Sequence, residues 1–99
     1  MFQVRREKDG SVYLSGVCDS STADELREVM DTVNASCTVD FGGLEYISSA
    51  GLGILLATQK RLAPRGGKLK LANLGGAIRE IFLLARFDAI FEMEDSPQK

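Results

Sequence analysis

Cys37-Thr38-Val39-Asp40-Phe41-Gly42-Gly43, followed by Leu44-Glu45-Tyr46-Ile47-Ser48 and then Ser49-Ala50-Gly51-Leu52-Gly53, is the stretch that decides the fold. Its first five residues alternate in polarity with the period of a strand. Gly42-Gly43 reads as a break, since glycine has no side chain to pack on a sheet. Leu44 to Ser48 then reads as a short connector. Beyond it the period changes: Leu52, Leu55, Leu56, Gln59 and Leu62 recur as one face of a helix, and Pro64 with Gly66-Gly67 ends it. A strand followed closely by a helix is half of a unit that builds parallel sheets.

Working outward, Lys68-Leu69-Lys70-Leu71 is a further strand with one apolar face. Ala77, Ile78, Ile81, Phe82 and Ala85 form the stripe of a third helix, Ile90 and Phe91 suggest a last short strand, and residues 95–99 read as a frayed tail. Upstream, Phe2-Gln3-Val4-Arg5 and Val12-Tyr13-Leu14-Ser15 alternate on either side of Asp9-Gly10, the signal for a two-residue hairpin turn. Gly16-Val17-Cys18-Asp19 follows, and Thr22 and Glu25 have the spacing of a capping box. Ala23, Leu26, Met30 and Val33 share a helical face, so the first helix is expected over about Thr22 to Val33, stopping at Asn34. The expected fold is α/β with the order β-β-α-β-α-β-α-β: a mixed sheet opening with a hairpin, in one domain over residues 1–99. Because the strands alternate rather than being apolar throughout, the helices are expected mainly on one face.

Several functions are disfavoured by composition. The chain has 99 residues, 12 basic against 14 acidic, and a net charge of -2, which argues against a nucleic-acid binder. The basic residues Lys60, Arg61, Arg65, Lys68 and Lys70 read as a solvated helix end and strand face. No apolar run approaches a membrane span, and Met1 to Lys8 lacks the apolar core of a secretory signal, so a cytoplasmic protein without membrane insertion is expected. Cys18 and Cys37 are then expected as free thiols packing as small apolar groups. The absence of histidine removes the usual catalytic triads and the commonest metal ligand. No cofactor, catalytic residue or metal site is expected.

The chemistry concentrates in Tyr46-Ile47-Ser48-Ser49-Ala50-Gly51-Leu52-Gly53. Two serines stand where a loop enters a helix, with small residues after them that let another surface approach closely. Capping is serine's ordinary role at such a junction. The same helix start, with its free amides and positive dipole end, also accommodates a phosphate. That phosphate would add about -1.5 to -2 charges to an exposed surface. A nucleophile elbow does not fit, because Ile47 and Tyr46 stand where glycine is needed. Nor are Gly51-Leu52-Gly53 and Gly66-Gly67 phosphate-cradling loops, since no Gly-Lys-Ser/Thr follows.

Leu14-Ser15-Gly16-Val17-Cys18-Asp19 together with Asp40 to Gly53 resembles the STAS domain of bacterial anti-sigma-factor antagonists, and the similarity runs on through Gly66-Gly67-Lys68-Leu69 and the third helix. The resemblance implies an anti-sigma factor antagonist that is not an enzyme. Its unphosphorylated form would bind an anti-sigma factor, itself a serine kinase, and release the sigma factor. Phosphorylation at Ser49, with Ser48 as the alternate, would abolish binding, and a PP2C-type phosphatase would reverse it. The implied partner-binding surface comprises Asp19, Ser20, Thr22, Ser48, Ala50, Gly51, Leu52 and Gly53, on a protein that is monomeric when free. Many family members have aspartate where this chain has Ser48, and a second serine where it has Ala50. The other setting the resemblance allows is a STAS scaffold in a stressosome-like complex or lipid-transport system.

Overall fold

The computed structural model describes residues 1–94; the expected frayed tail lies outside the described residues. One five-stranded sheet has the order β1-β2-β3-β4-β5, with strands Phe2–Arg6, Val12–Cys18, Cys37–Ile47, Leu69–Ala72 and Glu92–Met93. β1 and β2 are antiparallel and every later pairing is parallel. Helices α1 (Ala23–Met30), α2 (Ser49–Leu62) and α3 (Gly76–Leu84) fill the connections between the parallel strands. The element order is the one the sequence implies.

The strands bury alternate residues: Val12, Leu14 and Cys18 on β2, Val39, Phe41, Leu44 and Ile47 on β3, and Leu69 and Leu71 on β4. These meet Leu26 and Met30 of α1, Ile54, Leu55 and Leu62 of α2, and Ile78 and Phe82 of α3 in one apolar cluster. Gln3, Arg5, Tyr13 and Asp40 stand on the other face, where the Arg5 guanidinium lies 4.6 Å from the centre of the Tyr13 ring. Helices therefore cover one face, as the alternation requires.

Several local expectations are corrected. The hairpin loop has three residues, Lys8-Asp9-Gly10, not two: Glu7 N–H donates to Ser11, Gly10 N–H donates to Glu7, and Gly10 takes φ +92°. This is a turn closed by a left-handed residue. The capping box does not form. Thr22 precedes α1 without a side-chain cap, because its Oγ1 instead accepts from Asp19 N–H at 3.0 Å. α1 ends at Met30, and Val33 is buried from the turn after it.

Gly42-Gly43 does not break β3, which runs 11 residues through the expected connector. At Gly43 a Cβ would lie 2.4 Å from Tyr13 Oη and 2.7 Å from Ser15 Cβ. Glycine there lets β2 and β3 stay paired across a register shift between Tyr13 and Ser15. A shift of this kind bends the strand and strengthens its twist.

On α2 the buried stripe is turned toward Ile54 and Thr58, leaving Leu52 and Leu56 half-buried. On α3, Ala77, Ile81 and Ala85 are exposed and the core face is Ile78 and Phe82. The last strand falls at Glu92–Met93, one residue past Phe91. Phe91 is instead the end of a ring series in which Phe41–Phe82, Phe82–Phe87 and Phe87–Phe91 centroids lie 5.5, 5.3 and 5.2 Å apart.

Candidate functional site

Parallel strands set side by side deliver their following loops to the same edge of the sheet. Cys18, the last residue of β2, pairs with Ile47, the last of β3. Asp19 and Ser48 are the next residues of each strand, and Ser48 N–H donates to the Cys18 carbonyl at 2.8 Å. Two loops distant in sequence are thereby joined into one surface.

Ser48 is the N-cap of α2, in extended conformation, with its Oγ accepting from Gly51 N–H at 3.4 Å. Its hydroxyl thus takes the structural role that serine favours at a helix start. Ser49 is the first residue of α2 and is exposed, and its hydroxyl makes no hydrogen bond to another described residue. Ala50 and Gly53 are exposed beside it and Leu52 is half-buried. The surface around Ser49 is open because its neighbours are small. Gly51 faces inward: a Cβ there would lie 2.7 Å from Ile47 Cγ1 and 3.0 Å from Cys18 Sγ. Its absence lets the first turn of α2 settle directly onto the ends of β2 and β3.

On the neighbouring loop, Asp19 Oδ1 accepts from Ser21 Oγ at 2.7 Å, Ser21 N–H at 3.0 Å and Thr22 Oγ1 at 3.3 Å. These bonds, the Ser21 hydroxyl foremost, hold the Asp19 carboxyl below the usual carboxylate range. Asp19 therefore presents a fixed negative charge at the same sheet edge as Ser49. Ser20 is exposed, whereas Thr22 is half-buried and engaged with the loop backbone. Beneath the loops, burial pushes the Cys18 thiol up, and both cysteines are free.

α1 and α2 leave a groove of about 380 Å³ between them. Ser49, Gly53, Ala57 and Arg61 line it from α2, with Arg27 and Asp31 opposite. Arg27 has no place among the sequence-derived site residues. Its position off the apolar face of α1 was legible, but which neighbour it faces depends on the packing of α2. Two larger hollows, about 500 and 640 Å³, lie around the hairpin tip. The only β3 residues they reach, Cys37, Thr38 and Asp40, belong to the first half of that strand, away from Ser48. Among the described residues no group of three His, Cys, Asp or Glu side chains could hold a metal ion.

The chain is similar to known proteins over most of its length. The family model described as Mlab, STAS domain, matches residues 1–93. BtrV of Bordetella bronchiseptica, described as an anti-sigma factor antagonist, is 37% identical over 87 residues, covering 84% of this chain and 75% of that protein. The anti-sigma-B factor antagonist of Bacillus subtilis is 31% identical over 81 residues, 79% of this chain and 74% of its own. The crystal structure of an anti-sigma factor antagonist from Mycobacterium paratuberculosis superposes with a TM-score of 0.79 at 27% identity, covering 99% of this chain and 86% of that one.

Proposed function

The chain belongs to the STAS domain family, in its anti-sigma factor antagonist branch, and from that premise we propose a serine-switched binding protein with no catalysis of its own. Its unmodified form binds an anti-sigma factor through the edge formed by Asp19, Ser20, Thr22 and the first turn of α2, and so releases a sigma factor. That anti-sigma factor is also the kinase: it transfers the γ-phosphoryl group of ATP to Ser49 Oγ, and ADP leaves. A PP2C-type phosphatase hydrolyses the ester. The work is cytoplasmic, a reading that follows from the proposed sigma-factor partner system; no described helix is long and apolar enough to cross a membrane.

The observation that carries this reading is the division of labour between adjacent serines. Ser48 is engaged as the cap, while Ser49 is exposed on the same helix end. A phosphate there meets the free amides and positive end of α2, so the helix need not unfold to accept it. The partner is lost because a dianion is expensive to desolvate in an interface and repels acidic groups brought close to it.

The test is phosphosite mapping after incubation with the cognate anti-sigma kinase and ATP, with Ser49→Ala and Ser48→Ala in parallel. Phosphate is expected on Ser49, lost in Ser49→Ala and retained in Ser48→Ala, while unmodified Ser49→Ala still binds the anti-sigma factor. Binding unaffected by a phosphate on Ser49 would remove the switch and leave an unswitched scaffold.

A further inference from the structure

We propose that Arg27 takes hold of the phosphate on Ser49, so that modification also bolts α1 to α2 across the mouth of their groove. The proposal rests on the reading of Ser49 as the modified residue. Both helices leave the same edge of the sheet, because β2 and β3 are parallel. Ser49 is the first residue of α2, and Arg27 is in the second turn of α1. Long helical side chains lean back toward the helix N-terminus. Arg27 does so here, its guanidinium donating to Asp24 Oδ1 at 2.6 Å, three residues earlier. That lean carries the charge toward the end of the groove where Ser49 stands.

The other charges of the groove lie further along it. Arg61, in the last turn of α2, donates to the Met30 carbonyl at 2.9 Å. Asp31 follows the last residue of α1. Asp24 is the present partner of Arg27, but that pair is solvent-exposed on both sides, with 57% and 86% of the two side chains accessible. Exposed pairs of this kind are weak. A phosphate carries more charge than a carboxylate and offers the planar guanidinium a bidentate partner. Arg27 is thus free to exchange Asp24 for it. With the phosphate and guanidinium joined over Ala50 and Gly53, the small-residue floor of the groove is covered as well as charged.

The test uses the full chain with phosphoserine encoded at position 49, so no kinase is needed. The phosphorus-31 chemical shift followed against pH reads the second ionisation of the phosphate. Arg27→Ala is expected to raise that pKa by about 0.3 unit or more, since removing a nearby cation disfavours the dianion, and Arg27→Lys recovers part of the difference. Arg61→Ala, at the far end, leaves it unchanged. A smaller rise in Arg27→Ala, or an equal one in Arg61→Ala, would overturn the clamp. Because Arg27 is exposed, the variants keep the fold, checked by their amide spectra. The switch itself is tested separately: a phosphoserine protein that binds its anti-sigma factor as tightly as the unmodified chain removes the role of Ser49, whatever the titration gives.

Discussion

The backbone amide of Ser48 donates to the carbonyl of Cys18 at 2.8 Å, fastening the entrance of α2 to the last residue of β2. Ser48 therefore holds the site by its backbone as well as by its hydroxyl, and the two contributions are separable. Ser48→Ala removes only the cap to Gly51 N–H, a long bond at 3.4 Å. The expected loss is about 0.5–1 kcal/mol by urea denaturation, at the low end for N-caps. Ser48→Asp, which can still cap, is expected to restore it. A loss above roughly 2 kcal/mol would give the hydroxyl more than a capping role.

Gly51 and Gly53 are two residues apart and should respond in opposite directions. A methyl on Gly51 meets Ile47 and Cys18, whereas one on Gly53 meets nothing within 4 Å. Gly51→Ala is expected to destabilise by about 1–3 kcal/mol through overpacking. Gly53→Ala should instead stabilise the helix by roughly 0.5–1 kcal/mol. If Gly53 lies in the partner surface, this more stable variant binds its anti-sigma factor less tightly. Calorimetric melting and a binding titration on the same samples measure both effects.

Gly16 adopts φ +85°, and a Cβ there would sit 1.8 Å from the Met1 carbonyl oxygen, which accepts from Val17 N–H. Gly16→Ala combines left-handed strain with a backbone collision and should cost roughly 2 kcal/mol or more. Amide protection at Val17 should fall further than at the centre of β2. Unchanged protection there would refute this account.

Gln59 is a buried polar side chain on α2. Its Oε1 accepts from Leu69 N–H at 2.8 Å and its Nε2 donates to the Gly67 carbonyl at 3.3 Å. Gln59→Leu keeps the bulk but orphans the start of β4, for an expected loss of about 1–3 kcal/mol. Equal stability of the two proteins in guanidinium would show that water replaces both bonds.

Stability should be flat near neutrality and fall at both extremes of pH. Hydrogen bonds from Ser11 lower the pKa of Asp9, as those from Ser21 lower that of Asp19. Their contributions are present above the ordinary carboxylate value of 3.8 and are lost as pH falls through the depressed folded values. Burial raises the Cys18 thiol, so its contribution is full below the ordinary value of 9.0 and is lost as pH rises above it. Urea midpoints measured against pH check both limbs. The alkaline limb should shrink in Cys18→Ala, and an unchanged limb would acquit the thiol.

The order of elements was legible because each carries its own period. The placement of both serines at the start of α2 was legible because small and polar residues stand immediately before an apolar helical stripe. Errors arose where one signal has two physical meanings. Gly42-Gly43 resembles a break, yet Gly43 is there to admit Tyr13 and Ser15 of the adjacent strand. Thr22 and Glu25 have capping spacing, yet the Thr22 hydroxyl is drawn to Asp19. The exposed Ile81 in an apparently buried stripe reflects which side of α3 meets Phe41. Arg27 could not be placed on the same groove as Ser49 from sequence at all, because 21 residues, a whole strand among them, lie between the two. Partners that tertiary packing alone supplies leave no local signal.

The unbroken length of β3 has a consequence for how fast this protein is read. Ser48 follows directly on β3 and is stitched to the last residue of β2, so Ser49 at the head of α2 arrives at an encounter already in position. The Asp19–Thr22 loop beside it is already held by its own hydrogen bonds, so little of the association free energy is lost to conformational entropy. Association should accordingly proceed at the ordinary rate for docking two preformed patches. On the proposed switch at Ser49, the lifetime of the complex, rather than the frequency of collision, is where the phosphoryl group acts.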